Sequence, residues 1–205
     1  MRAHSISAGR VTLVGTLAVC FALILGTQAW AQTGGAGTAP APTTTPAPTT
    51  TPAPTSFPTV PGRRAKLKKN GMAIPPADAP PNIQNAIIAA NQIRKHPYRY
   101  GGGHQAGFYD TGYDCSGAVS YLLYAAGLLT DPMPSGAFMN WGEEGHGEWI
   151  STFANKGHMY AVIAGLRWDT SAFAVKGKRH RQKGPRWRPT KRKPKGFSIR
   201  HIAGY

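Results

Sequence analysis

Two stretches in the second half of the chain repeat apolar residues at the spacing of an α-helix. The first predicts an amphipathic helix over 82–95. The second predicts a helix with Asp114 as its N-cap, Cys115 as its first helical residue and Gly127 as its C-cap. The apolar positions are Ile83, Ala86, Ile87, Ala90 and Ile93 in the first helix, and Ala118, Val119, Leu122, Leu123 and Ala126 in the second.

Beyond a Gly- and Pro-rich loop at 128–148, the pattern changes to that of strands. Short apolar runs predict strands over 149–153 and 158–164, a return strand over 167–175 after a turn at Gly165, and a last strand over 197–202. Because the helices come first and the strands follow in a run, the predicted fold class is α+β, with N-terminal helices packed on an antiparallel sheet.

The first third of the chain has the composition of an export signal followed by a spacer. Arg2 and Arg10 precede an uncharged apolar run over 11–26, and Ala29-Trp30-Ala31 forms a small-residue cleavage site. This pattern predicts a secretory signal over 1–31 and a secreted protein. The alternative is an uncut membrane anchor, for which the run is short, because a span takes about 20 apolar residues.

Residues 32–62 repeat Pro and Thr, which is typical of an extended spacer. A basic cluster over 63–69 and a Pro-rich stretch over 75–81 follow it. We therefore predict a disordered linker over 32–81 and a folded domain over 82–205.

The chain is strongly basic, with 24 Lys and Arg against 8 Asp and Glu and a formal charge of +16. This balance indicates a polyanionic neighbour: nucleic acid, an anionic membrane surface or an anionic wall polymer. Eleven Lys or Arg residues and no acid lie at 176–195. Such a run is a solvated loop, an RNA-binding arm or a wall-polymer contact. Because an exported protein meets little nucleic acid, we expect the partner of this segment to be an anionic wall polymer.

Signal cleavage would leave Cys115 as the one cysteine of the mature chain. In an oxidising compartment such a cysteine forms an intermolecular bridge or is a reactive thiol. A helix N-terminus stabilises a thiolate there, and its N–H groups can hold an oxyanion. His158, at the start of a buried strand, could exchange the proton. Taken singly, a buried Cys is usually a small hydrophobe and a strand His is usually structural.

Three sequence motifs favour the catalytic interpretation of Cys115 and His158. They are Pro97-Tyr98-Arg99-Tyr100-Gly101-Gly102, Tyr113-Asp114-Cys115-Ser116-Gly117-Ala118-Val119 and Gly157-His158-Met159-Tyr160-Ala161-Val162-Ile163. In this order and spacing they resemble the NlpC-type (NlpC/p-sixty) peptidoglycan peptidases, which are papain-like cysteine peptidases of bacterial cell walls. The resemblance covers about 95–175.

The resemblance implies roles by position. Cys115 matches the nucleophile and His158 the base, while the substrate-binding side falls on Tyr98, Asp114 and Ser116. The position that orients the imidazole falls on the strand after the Gly165 turn, on Asp169 or Thr170. Asp169 is the better acceptor for an imidazole N–H.

The implied activity is hydrolysis of a stem-peptide amide in the cell wall, beside D-glutamate and a diamino acid, without a cofactor. The basic run at 176–195 is an insertion outside the family pattern. The alternatives are a wall-binding protein with an inactive site, and an amidase or acyltransferase that uses the same Cys and His. No His, Cys and carboxylate spacing suits a metal, and none is predicted. His104 and His146 are predicted to be solvated loop residues.

Overall fold

The computed structural model describes residues 57–205. The predicted signal over 1–31 and the spacer up to residue 56 lie outside this range. The helices are α1 (Pro81–Ile93), α2 (Cys115–Ala125) and α3 (Ser135–Phe138). The strands are β1 (Lys66–Leu67), β2 (Ala73–Ile74), β3 (Glu143–Glu144), β4 (Ile150–Asn155), β5 (His158–Ile163), β6 (Leu166–Asp169), β7 (Arg186–Pro189) and β8 (Ser198–His201).

The described chain has the predicted α+β class. β1 and β2 form a two-stranded ribbon, and the other strands form an antiparallel sheet in the order β3-β8-β4-β5-β6-β7. The helix α2 packs on α1 and on β5, so that the core lies between the helices and the sheet. Between residues 57 and 205, no helix is both long and apolar enough to cross a bilayer.

The start of α1 and both ends of α2 have local chemical causes. Pro81 opens α1, where a missing N–H costs nothing. The Asp114 side chain caps α2 by accepting from the Gly117 N–H at 2.7 Å, and Gly127, with φ +69°, follows its C-terminus. The ten predicted apolar positions are all buried, so the predicted amphipathic stripes are confirmed.

Two tight hairpins set the register of the central strands. The turn between β4 and β5 is Lys156-Gly157, which leaves Asn155 paired with His158. The turn between β5 and β6 is Ala164-Gly165, and both residues have positive φ (44° and 82°), as a type I′ turn requires. The strand predicted over 167–175 ends early, at Asp169, because the Asp169 side chain accepts from the Ser171 N–H at 2.8 Å and turns the chain.

The C-terminal part of the predicted linker belongs to the folded domain, which corrects the boundary at residue 82. Val60 bridges Pro76, and the Ala65 N–H donates to the Ala164 carbonyl at 2.9 Å. The buried Asn91 side chain hydrogen-bonds both the N–H and the carbonyl of Ala73. Strands of two residues have no periodicity to detect, so no sequence pattern predicted this ribbon.

The basic segment over 176–195 contains a strand, which the sequence did not predict. β7 pairs with β6, and Trp187 is buried against Trp168 with ring centroids 5.0 Å apart. The Trp187 indole N–H donates to Asn91 Oδ1 at 3.0 Å. The middle of this segment is therefore part of the core, whereas its flanks, including Lys176 and Lys195, are exposed.

Candidate active site

Residues of the three sequence motifs meet at one cleft of about 590 Å³. Cys115 lies in this cleft at the start of α2, and the β4–β5 turn forms the opposite wall. The lining residues are Tyr98, Tyr100, Gly101, His104, Asp114, Cys115, Ser116, Pro134, Ser135, Gly136, Lys156 and Gly157.

The loop formed by the first motif, Pro97 to Gly102, fixes the start of α2 and thereby the position of the Cys115 thiol. Asp114 N–H donates to the Gly102 carbonyl at 3.1 Å, and Gly101 N–H donates to Asp114 Oδ2 at 3.1 Å. Gly102 and Gly117 approach so closely that a Cβ on Gly117 would collide with the Gly102 carbonyl oxygen. A Cβ on Gly102 would in turn collide with the Gly112 carbonyl oxygen, so both glycines are needed for this packing. Cys115 sits at the first helical position, where an N–H has no partner within the helix.

The His158 imidazole lies between the thiol and a buried carboxylate. Its Nε2 is 3.1 Å from Asp169 Oδ1, and the Cys115 side chain lies close enough to the ring to help raise its pKa. Nδ1 is therefore the nitrogen that serves the thiol. Burial lowers the pKa of His158, but the hydrogen bond to Asp169 and the nearby Cys115 side chain outweigh it and raise the pKa to about 9. The arrangement favours an imidazolium at neutral pH.

The structure answers which residue after the turn faces the imidazole. The Ala161–Trp168 pairing continues to place Asp169 opposite Tyr160, on the face that also carries His158. The Asp169 side chain is fully buried. Burial raises its pKa, but hydrogen bonds from His158 and Ser171 outweigh this and hold the pKa well below its usual range. Thr170 is turned away, and its buried hydroxyl has no partner within residues 57–205.

One hydrogen bond ties the helix of the thiol to the strand of the carboxylate. The Trp168 indole N–H donates to the Ala118 carbonyl at 3.1 Å, and Trp168 is fully buried. Ala118 lies one turn after Cys115, and Trp168 immediately precedes Asp169. The spacing between the two halves of the site is therefore held by the core.

Asp114 and Ser116 lie beside the thiol, but their polar atoms are occupied by protein partners. Asp114 Oδ1 accepts from Gly117 N–H, from Ser116 Oγ at 3.1 Å and from His104 Nε2 at 3.0 Å. Burial raises the pKa of Asp114, but the hydrogen bonds from His104 and Gly117 lower it further than burial raises it. Asp114 is therefore an ionised carboxylate whose oxygens are already engaged by protein donors.

The prediction that His104 is a solvated loop residue is wrong. Its side chain is 24% exposed, lines the cleft and is held by Asp114 and Ser116. The hydrogen bond to Asp114 raises the pKa of His104, against the opposing effect of burial. No sequence signal marks this pairing, because the two residues meet through the Gly102 contact. His146 is exposed, as predicted.

Tyr98 lies at the side of the thiol, as the resemblance implied. Burial raises its pKa, and the nearby Cys115 and Asp114 side chains raise it further. Its hydroxyl is therefore protonated at neutral pH and can donate a hydrogen bond into the cleft. Within residues 57–205, no three His, Cys, Asp or Glu side chains are grouped as a metal site would need.

The chain matches no protein-family model and no curated protein. Among solved structures, it is similar to a hypothetical invasion protein of Mycobacterium tuberculosis, at 20% sequence identity and a TM-score of 0.42. The similarity covers 59% of this chain and 62% of that one, so the match spans less than two thirds of that structure. A likeness at this level shows neither a family nor an activity.

Proposed function

We propose that this chain is a cysteine peptidase with a papain-like NlpC-type domain. The single observation that carries the proposal is that His158 lies beside Cys115, which starts a helix in an open cleft, and hydrogen-bonds the buried Asp169. A nucleophile, a base and a group that orients the base are the parts that covalent acyl transfer requires.

The geometry supports a two-step mechanism. The Cys115 thiolate attacks the substrate carbonyl carbon, and the N–H of Cys115 with the Tyr98 hydroxyl stabilises the oxyanion. The C–N bond breaks as His158 gives its Nδ1 proton to the leaving amine, which leaves an acyl-thioester on Cys115. Water then attacks the thioester and gives a proton to His158; the C–S bond breaks, which releases the acid and restores the Cys115 thiolate beside the imidazolium.

We propose peptidoglycan stem peptides as the substrate class, and an exported, wall-associated protein as the setting. Support comes from the three sequence motifs and from the export signal predicted over 1–31. The cleft also offers Lys156 on the His158 side, a cation that suits a carboxylate-bearing peptide.

Digestion of purified peptidoglycan, followed by mass analysis of the products, tests this proposal. We expect new amino termini within the stem peptide for the wild-type protein, and none for Cys115→Ala or His158→Gln. His146→Gln replaces an exposed histidine outside the cleft and is the matched control. Lysis by Cys115→Ala at the wild-type rate would end the proposal. Wall retention without products would favour a wall-binding protein, and a different cleaved or transferred bond would favour an amidase or acyltransferase.

We also propose that the exposed flanks of the basic segment hold the protein on anionic wall polymers. Deleting 176–195 would remove β7 and Trp187, so charge neutralisation is the appropriate perturbation. Replacing Lys176, Lys178 and Arg179 by Gln should weaken wall retention, most visibly at low salt, because exposed charges are screened within about 10 Å at 0.1 M. The control is a second triple variant with Gln at Lys68, Lys69 and Lys95, which removes the same amount of charge from another part of the surface. Equal retention of the two triple variants would argue for net charge alone.

A further inference from the structure

The two oxygens of Asp169 have separate sets of partners. Oδ1 accepts from His158 Nε2 at 3.1 Å and from Ser171 N–H at 2.8 Å. Oδ2 accepts from Arg192 Nη1 at 3.0 Å and lies 3.4 Å from Arg167 Nε. A carboxylate can rotate about its terminal bond, so the contacts on Oδ2 help to fix the angle of the carboxylate plane and keep the other oxygen aimed at the imidazole.

Arg192 has supports of its own besides Asp169. Its guanidinium carbon lies 4.9 Å from the Tyr160 ring centroid and 5.0 Å from the Phe197 ring centroid. These two rings pack edge to face at 5.2 Å, and Phe197 also packs edge to face on His158, at 6.4 Å. Cations are attracted to aromatic faces. The aromatic pair therefore positions the guanidinium beside Asp169.

We propose that Arg192 is a positioning residue of the active site, which holds Asp169 through Oδ2 so that Oδ1 faces His158. This inference rests on the proposed function, since it gives Asp169 the orienting role. It assigns part of the basic segment to the support of Asp169 rather than to a polymer. The planar fork of Arg suits the task, because it can stack on the rings and donate to the carboxylate together.

A merely electrostatic role makes the opposite prediction about His158. A cation beside Asp169 weakens the pull of the carboxylate on the imidazolium, so removing an idle cation would raise the pKa of His158. Removing a residue that holds Asp169 in place instead weakens the hydrogen bond between Asp169 and His158, and this lowers the pKa of His158. The charged groups that face this pair are Cys115 on α2, Arg167 on β6, Arg188 on β7 and Arg192.

The test follows the His158 imidazole by NMR titration and Cys115 by its alkylation rate with iodoacetamide, in the full chain. The His158 signal is identified by its absence in His158→Gln. Arg192→Gln should lower the pKa of His158 and slow alkylation at neutral pH about tenfold, because small displacements of such a group are costly. Arg192→Lys keeps the charge and isolates the geometry, so a smaller change in the same direction is expected.

Lys191→Gln is the matched control, because it removes an exposed charge from the neighbouring position. A rise in the pKa of His158 in Arg192→Gln with no change in Arg192→Lys would overturn the proposal in favour of a simple charge effect. No change in either variant would overturn it as well. Thermal melts establish that each variant is folded, and Arg192→Lys decides the matter if Arg192→Gln is not. Since neither readout needs a substrate, an inactive wild-type protein would refute the proposed peptidase without deciding the role of Arg192.

Discussion

Replacing Asp169 by Asn keeps the shape of the side chain and removes its charge. The remaining oxygen can face His158, which leaves the amide NH₂ pointing at the donors of Arg192 and Arg167. The reverse orientation points the NH₂ at Nε2, which must then give up its proton and leave Nδ1–H facing the thiol of Cys115. Both orientations lose the ion pair because Asn is neutral; the first also sets amide N–H groups against the arginine donors, and the second also loses the tautomer that can accept the thiol proton.

The size of the effect follows from the imidazole. The pKa of His158 is raised from 6.5 to about 9, and Asp169 is the first of the groups that raise it. Losing the contribution of Asp169 lowers that pKa, with each unit lost a factor of ten in the imidazolium equilibrium, and favours the wrong tautomer, which together cost on the order of a hundredfold. We expect kcat/KM on a soluble stem peptide to fall by at least this factor at neutral pH.

The assay measures kcat/KM across pH together with Cys115 alkylation, and a thermal melt establishes that the variant is folded. Thr170→Val is the matched control, because it changes the neighbouring buried residue, whose hydroxyl has no partner among residues 57–205. A silent Asp169→Asn with a crippled Thr170→Val would place the orienting group one residue away. A loss below about threefold in Asp169→Asn would refute the argument from the imidazole pKa, which requires a far larger change.

Three further outcomes are expected. Because the raised pKa of His158 keeps the imidazolium up to about pH 9, kcat/KM should fall as the pH rises through that value; the stability that the imidazolium contributes is fully present below 6.5 and is lost over the same rise. Gly117→Ala should destabilise the fold by about 1–3 kcal/mol in chemical denaturation and inactivate the site, because its Cβ meets the Gly102 carbonyl, whereas Gly136→Ala, with open space around it, should leave the stability unchanged. Trp187→Ala should cost about 3–5 kcal/mol of unfolding free energy, which a basic loop in solvent would not.

The parts of this protein that the sequence alone determined are those with local causes. The stripes of α1 and α2 follow from helical periodicity, and the start of α2 follows from the cap that Asp114 provides. The placement of Cys115 at a helix N-terminus, and of His158 at a strand start after a tight turn, needed only neighbouring residues. The α+β class followed from the order of these elements along the chain.

The remaining features depend on contacts between distant residues, and only the tertiary structure decided them. The choice of Asp169 over Thr170 rests on the two-residue turn at Ala164-Gly165, because a shift of one residue there exchanges the faces of the strand. Trp187 is buried, although charges surround it in the sequence, because β6 leaves an edge for β7 to pair with. The contacts of His104 with Asp114 and of Arg192 with Asp169 have no local signature, since each joins side chains from segments that only the folded core brings together.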